Sequence, residues 1–165
     1  MNKFAEIAKF GKALVETQEI ENALDLIAIE AKKLLKCERC SIFLIDYESQ
    51  MLWTKHSDGI GRIAISTDAG IVGHTFKTRS PQIVNNPYDN QFFMPNIDKK
   101  SGFTTKNIIT TLIFDSNREV IGIIQLLNKL EGDFEEDDLK VLNFFANYVS
   151  GTLELALIQE KNTQL

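Results

Sequence analysis

The chain has 165 residues, 44% of them hydrophobic and 25% charged, and carries a net charge of −5. That length suits one domain around a single hydrophobic core. The acidic balance excludes a nucleic-acid surface, which needs a basic stripe, and leaves any anionic ligand to be held by local donors.

Two helices are predicted up to about residue 35, broken around Thr17-Gln18-Glu19. Phe4, Ile7, Phe10 or Gly11 and Leu14 recur at helical spacing in the first. In the second, Ile20, Ala23, Leu24, Ile27, Ala31, Leu34 and Leu35 make a broad apolar face opposite Glu and Lys. The N-terminal stretch mixes charges with its apolar residues and lacks a signal-peptide core. No stretch of the sequence is read as a membrane span, so a cytoplasmic chain is expected. Cys37 and Cys40 form the one C-x-x-C, and His56 and His74 are the only histidines, too few ligands to support a zinc site. Cys37 is expected to end a helix and Cys40 to start a strand.

The period then changes. Residues 40–47 and 51–57 read as a hairpin, and 62–66 as a short strand after the Asp58-Gly59-Ile60-Gly61 turn. Residues 68–79 read as a short helix opened by Gly70 with Asp68 as its candidate cap. Residues 80–106 hold all three prolines and Phe92, Phe93 and Phe103, an irregular insert expected to pack over something. Strands resume at 107–115 and 119–129 across a hairpin-length connection, so the sheet is at least partly antiparallel. From Glu135 onward one long helix is predicted, with Leu142, Ala146, Val149, Leu153 and Ala156 forming a heptad-like seam. The order predicts an α+β domain: a central antiparallel sheet, helices from both termini on one face and the insert over the other.

Candidate chemistry is sparse. Gly70-Ile71-Val72-Gly73 opens a helix whose first N–H groups and dipole suit an anion. Ser41, Thr110, Thr111 and Gln125 interrupt apolar strands, and a buried amide such as Gln125 has several bonds to satisfy. No nucleophile elbow, zinc-binding H-E-x-x-H or Walker loop occurs, so no catalytic residues are assigned. The acidic run Glu135 to Asp138 opens the last helix, where the dipole favours negative charge.

"CERCSIFLID" (37–46), "GIVGHTFKTRSP" (70–81), "SGFTTKNIIT" (101–110) and "VIGIIQLLNK…F…D" (120–138) together resemble GAF domains. The likeness is narrower still, to those of cyclic-nucleotide phosphodiesterases and bacterial adenylyl cyclases. It implies a GAF (PAS-like) fold with about six strands, and a non-catalytic sensor that buries a cyclic nucleotide between sheet and insert. cAMP is favoured over cGMP, because bacterial relatives of the pattern mostly sense cAMP.

The resemblance implies that Ser41 faces the base, that Ser57 and Asp58 fall where the family often has Phe-Asp, and that Ile71 and Val72 meet the ribose-phosphate. It implies that Met94, Asp98, Ser101 and Thr105 line the insert side and that Gln125 lies at the pocket floor. Asn128, Lys129, Phe134 and Asp138 match the family's pocket latch, in which the Lys and Asp pair beside the pocket, while Leu139 replaces its Glu. The expected organisation is an N-terminal dimerisation or linker helix over 1–18, a GAF domain over 19–157, and a signalling helix starting at 158–165. Parallel homodimerisation through the terminal helices is expected. The alternative is a dimerisation module whose pocket is vestigial or takes a different small molecule.

Overall fold

The computed structural model describes residues 2–16, 19–57, 63–96 and 102–163, with 55–57 and 162–163 as backbone alone. Helices α1 (Lys3–Val15) and α2 (Ile20–Leu35) lead into β1 (Cys37–Asp46), β2 (Met51–Ser57) and β3 (Ala64–Ser66). Helix α3 (Gly70–Thr78), β4 (Gln82–Val84) and a 3-10 turn at Pro87–Asp89 follow. The chain closes with β5 (Ile108–Phe114), β6 (Val120–Lys129) and α4 (Glu136–Thr163). The six strands form one antiparallel sheet in the order β3-β2-β1-β6-β5-β4.

Alternation along the strands sorts the sheet into two faces. Cys40, Ile42, Leu44, Ile109, Ile113, Ile124 and Leu126 face α1, α2 and α4 and build the main core with their buried residues. Phe43, Leu112 and Ile123 face the other way, toward α3 and the insert. Asn2 caps α1 by accepting the Phe4 N–H at 2.8 Å. Ile7, Phe10 and Leu14 then bury that helix in the main core. Helix α2 stops at Lys36, whose left-handed backbone (φ 54°) turns the chain directly into β1.

Three sequence expectations change. Cys37 starts β1 instead of ending a helix. Asp68 does not cap α3: Ala69 holds the cap position, no side chain caps it, and Asp68 pairs with Lys77 instead. The 142–156 seam is not a free dimerisation surface. Leu142, Ala146, Val149, Leu153 and Ala156 are all buried in the chain's own core, because α4 lies on the sheet along that edge. The Thr111 hydroxyl bonding Asn143 Oδ1 holds it there. Within the same helix, Glu136–Lys161 contains an 18-residue window of mean hydropathy 1.3, long and apolar enough by composition to cross a membrane. A third of that window is buried, Leu142, Phe145, Ala146, Val149, Leu153 and Ala156 packing into the main core.

Among the described residues the core holds one buried side-chain atom without a hydrogen-bond partner. Glu30 on α2 is buried, its Oε1 has no hydrogen-bond partner, and Lys33 Nζ stands 3.9 Å from Oε2. Burial and the nearby Glu6 carboxylate push the Glu30 carboxyl above its ordinary 4.5, with Lys33 opposing. A raised carboxyl pKa means stability present below the unfolded value and lost as pH rises through the folded one. Glu30→Gln is therefore expected to stabilise the protein by about 1 kcal/mol at neutral pH. The gain should vanish once the pH falls below 4.5. Urea unfolding at pH 7 and pH 4 checks this; an equal gain at both pH values would rule out the carboxylate as its cause.

Candidate functional site

On the insert face, register aligns the polar strand residues into one row. Ser41 pairs with Gln125, Gln125 with Thr110, and Thr110 with Gln82, so four adjacent strands present polar side chains on one line. Ser57 continues the row on β2, opposite Ser41. Apolar clusters flank it on both sides. Phe43, Leu112, Val120 and Ile123 lie on one side with Val72, and Val84 and Ile108 on the other with Ile71. Among the described residues the Gln125 amide, half-buried, makes no hydrogen bond.

The first turn of α3 straddles this row, since Ile71 belongs to one cluster and Val72 to the other. Its first intrahelical bond runs from the Gly73 N–H to the Ala69 carbonyl, 2.9 Å. The N–H groups of Gly70, Ile71 and Val72 are thus left without intrahelical partners, beside the positive end of the helix dipole. Gly70 takes φ +69°, and a Cβ at Gly73 would stand 2.8 Å from the Asp68 carbonyl carbon, so both glycines are needed for this tight entry.

One turn on, the Thr75 hydroxyl donates to the Ile71 carbonyl at 2.8 Å and lies 2.6 Å from the Thr110 hydroxyl. Thr75 has spent its only proton, so Thr110 donates to it, while Thr110 accepts the Gln82 N–H at 3.2 Å. That chain of bonds seats α3 on the row.

The insert covers the helix start. Phe92 stacks on His74, with ring centroids 3.8 Å apart at 13°, and Met94 lies over Gly70. Phe93 packs on the Ile71 cluster and edge-on to Tyr88 at 5.0 Å. On the returning leg the Arg39 guanidinium stands 3.6 Å above the Phe103 ring, and Thr105 is buried. The aromatics of the insert do pack over the sheet and α3.

Thus the structure brings Ser41, Ile71, Val72 and Gln125 together on one face, with Met94 at the helix start. Asp58, Asp98 and Ser101 lie outside the described residues, as does the side chain of Ser57. Sequence reasoning passed over Thr75, Gln82 and Arg39. Thr75, four residues after Ile71 on the helix, was the detectable one.

The latch residues form a connected group at the end of β6. Lys129 Nζ bonds Asp138 Oδ2 at 2.8 Å, which raises the Lys129 amine above its ordinary value, and the same oxygen accepts the Glu135 N–H at 2.8 Å. The pair is not beside the polar row as expected: it stands on the helix side of the sheet, in a groove lined with Leu35, Lys36 and Lys3 that includes no residue of the row. Phe134 is buried in the main core, and Leu139, where the family has Glu, packs against that core. Burial pushes the Cys37 thiol up to about 12, and both cysteines are buried, so neither is a ready thiolate.

The GAF domain family model matches residues 19–153. The chain belongs to the GAF family. This GAF domain is 28% identical over 145 residues to a probable 3',5'-cyclic phosphodiesterase, pde-5, of Caenorhabditis elegans, covering 79% of the chain and 20% of the relative. It is 31% identical over 130 residues to dual 3',5'-cyclic-AMP and -GMP phosphodiesterase 11 of Drosophila melanogaster, covering 78% of the chain and 9% of the relative. The chain therefore spans a fifth or less of these proteins. Its fold matches the crystal structure of the GAF domain from an Acinetobacter phosphoenolpyruvate-protein phosphotransferase, with TM-score 0.82, 18% identity, and 98% and 99% of the two chains covered.

Proposed function

We propose that this GAF domain is a non-catalytic, cytoplasmic sensor that binds a cyclic nucleotide between the polar row and α3. The observation that carries the reading is the Gln125 amide, left without a partner midway along a polar row that two apolar clusters enclose. A cyclic nucleotide offers one negative charge, a polar sugar and base edge, and a flat aromatic face. The free N–H groups of Gly70, Ile71 and Val72 suit the phosphate, which an acidic chain would otherwise repel. Ser41 and Gln125 suit base or sugar, and the insert excludes water. The relatives named for cyclic-nucleotide phosphodiesterases support the ligand class.

cAMP is favoured over cGMP on the motif resemblance, with Asp58, Asp98, Ser101 and Thr105 as further contacts. Calorimetric titration with both nucleotides tests the reading. Saturation at one nucleotide per chain is expected for at least one, and no heat from either at high micromolar concentration would favour a vestigial pocket.

The partner is a second copy of the chain, and the surface that receives it is the outer face of α4. Leu155 and Ile158 are exposed there; Phe144 and Tyr148, partly exposed, continue the 4-then-3 spacing through Gly151 but pack on Phe4 and Gly11 of α1, so α1 and α4 share this face. Between Phe144 and Gln159 the one charged residue is Glu154. Its carboxylate is turned to Ser116, accepting the N–H at 2.9 Å and the hydroxyl at 2.8 Å. Two such faces can therefore pair in parallel without burying a free charge. Leu155→Glu, at the most exposed side chain of the seam, should turn a dimer into a monomer in sedimentation; an unchanged dimer would place the interface elsewhere. Residues 1–18 would then serve as a linker helix and 158–165 would carry the signal onward.

A further inference from the structure

The insert leaves the sheet after β4 and returns into β5, and a side-chain amide ties each leg to the segment joining β6 to α4. On the outgoing leg, Asn85 Oδ1 accepts the Phe134 N–H at 2.9 Å and Asn85 Nδ2 donates to the Phe134 carbonyl at 3.1 Å. One amide thus meets both backbone groups of a single residue, as a neighbouring strand would. On the returning leg, Asn128 Oδ1 accepts the Lys106 N–H at 2.6 Å, and its Nδ2 donates to the Thr104 carbonyl at 2.9 Å. Asn107 answers in the other direction. Its Oδ1 accepts the Lys129 N–H at 2.9 Å and its Nδ2 donates to the Gly132 carbonyl at 3.2 Å.

Between these ties and α4 the segment has little freedom. Phe134 is buried in the main core, and Asp138, in the first turn of α4, holds Lys129 and the Glu135 N–H. The outgoing leg runs on from Asn85 through the 3-10 turn to Phe92, Phe93 and Met94, the residues that cover α3. A displacement of that cover that reaches Asn85 must either break both Asn85 bonds or carry along Phe134, which lies two residues before α4 begins.

We propose that residues 128–138 act as a clip coupling the insert to the first turn of α4, and that Asn85 is the positioning residue that joins the insert's outgoing leg to it. This deepens the sensor reading by naming the route from pocket to helix, and rests on that reading only for the signal that would use the route. Coupling of this kind requires that a perturbation in the insert be felt at α4 only while the tie is intact.

A double-mutant cycle without nucleotide tests it. Amide exchange at Leu139 to Leu142 is measured in the wild type, Phe93→Ala, Asn85→Ala and the double variant, with Ile42 and Ile124 reporting global opening. Phe93→Ala, which loosens the insert, should speed exchange at the start of α4 by about five- to tenfold relative to those references. In the Asn85→Ala background the same change should have less than about a twofold effect. Asn85→Asp, which keeps the acceptor for the Phe134 N–H, should fall between. If Phe93→Ala does not fold, Phe92→Ala, at an exposed ring stacked on His74, replaces it in the cycle. Equal acceleration in both backgrounds would overturn the proposal. So would a loosened insert that leaves the start of α4 unchanged in both. Because no nucleotide is present, failure of the chain to bind one would refute the sensor reading and leave this result standing on its own.

Discussion

Asn128→Ala is expected to lower the stability of the domain by about 3–4 kcal/mol, the largest loss from any single side chain at the end of β6. Two causes add. Asn128 sits at φ 62°, a left-handed conformation that Asn tolerates and Ala resists by roughly 1–2 kcal/mol. Its amide, buried at 2% exposure, also bonds the backbone of Thr104, Lys106 and Asn107. Removing it leaves those groups to find water at a closed junction. Asn128→Gly separates the causes, since glycine accepts the backbone conformation and loses only the bonds. Urea unfolding should place the Gly variant between wild type and Ala. A loss below about 1 kcal/mol for Ala would mean that water replaces these bonds, and the junction would not be the rigid piece described above.

Gln125→Leu is expected to separate binding from stability. The amide has no partner among the described residues, so replacing it with an apolar side chain of similar size should leave stability unchanged or slightly raised. If the amide bonds the nucleotide, affinity should fall by about 1–3 kcal/mol, roughly five- to 150-fold. Affinity that holds while stability falls would mark Gln125 as structural and misplace the pocket floor. Ser41, in register beside it, is the natural companion, and Ser41→Ala should weaken binding in the same direction.

Much of the fold was legible because its elements are long and strongly patterned. Strands β2, β5 and β6 and helix α2 read directly from density of β-formers or from period. Strand β4 was not, since three residues between Pro81 and Asn85 are too few to show a period, and pairing with β5 is what makes them a strand. The long helix carries two heptad seams, 142–156 and 144–158, and composition alone does not choose between them. The sheet chooses: its apolar face takes Leu142, Ala146 and Val149, and the bond from Thr111 to Asn143 fixes the rotation.

The site was legible residue by residue and illegible as a surface. Gln125 stood out as an amide in an aliphatic strand, and Ser41 and Thr110 as hydroxyls in others. Only register shows that these three share a face while Thr111 points to the helices. The Lys129–Asp138 pair could be expected from the motif, but its position across the sheet from the polar row could not. Asn85 carries no sequence signal at all, because a loop asparagine looks the same whether it bonds water or the backbone of Phe134.

Backbone amide spectra of the labelled protein, recorded while cAMP or cGMP is added, ask most directly whether a nucleotide lies between the polar row and α3. The arrangement predicts that the largest shifts gather at Gly70 to Gly73 and at Ser41, Thr110 and Gln125, saturating together at one nucleotide per chain. Shifts confined to the outer face of α4, or no shifts with either nucleotide, would contradict it.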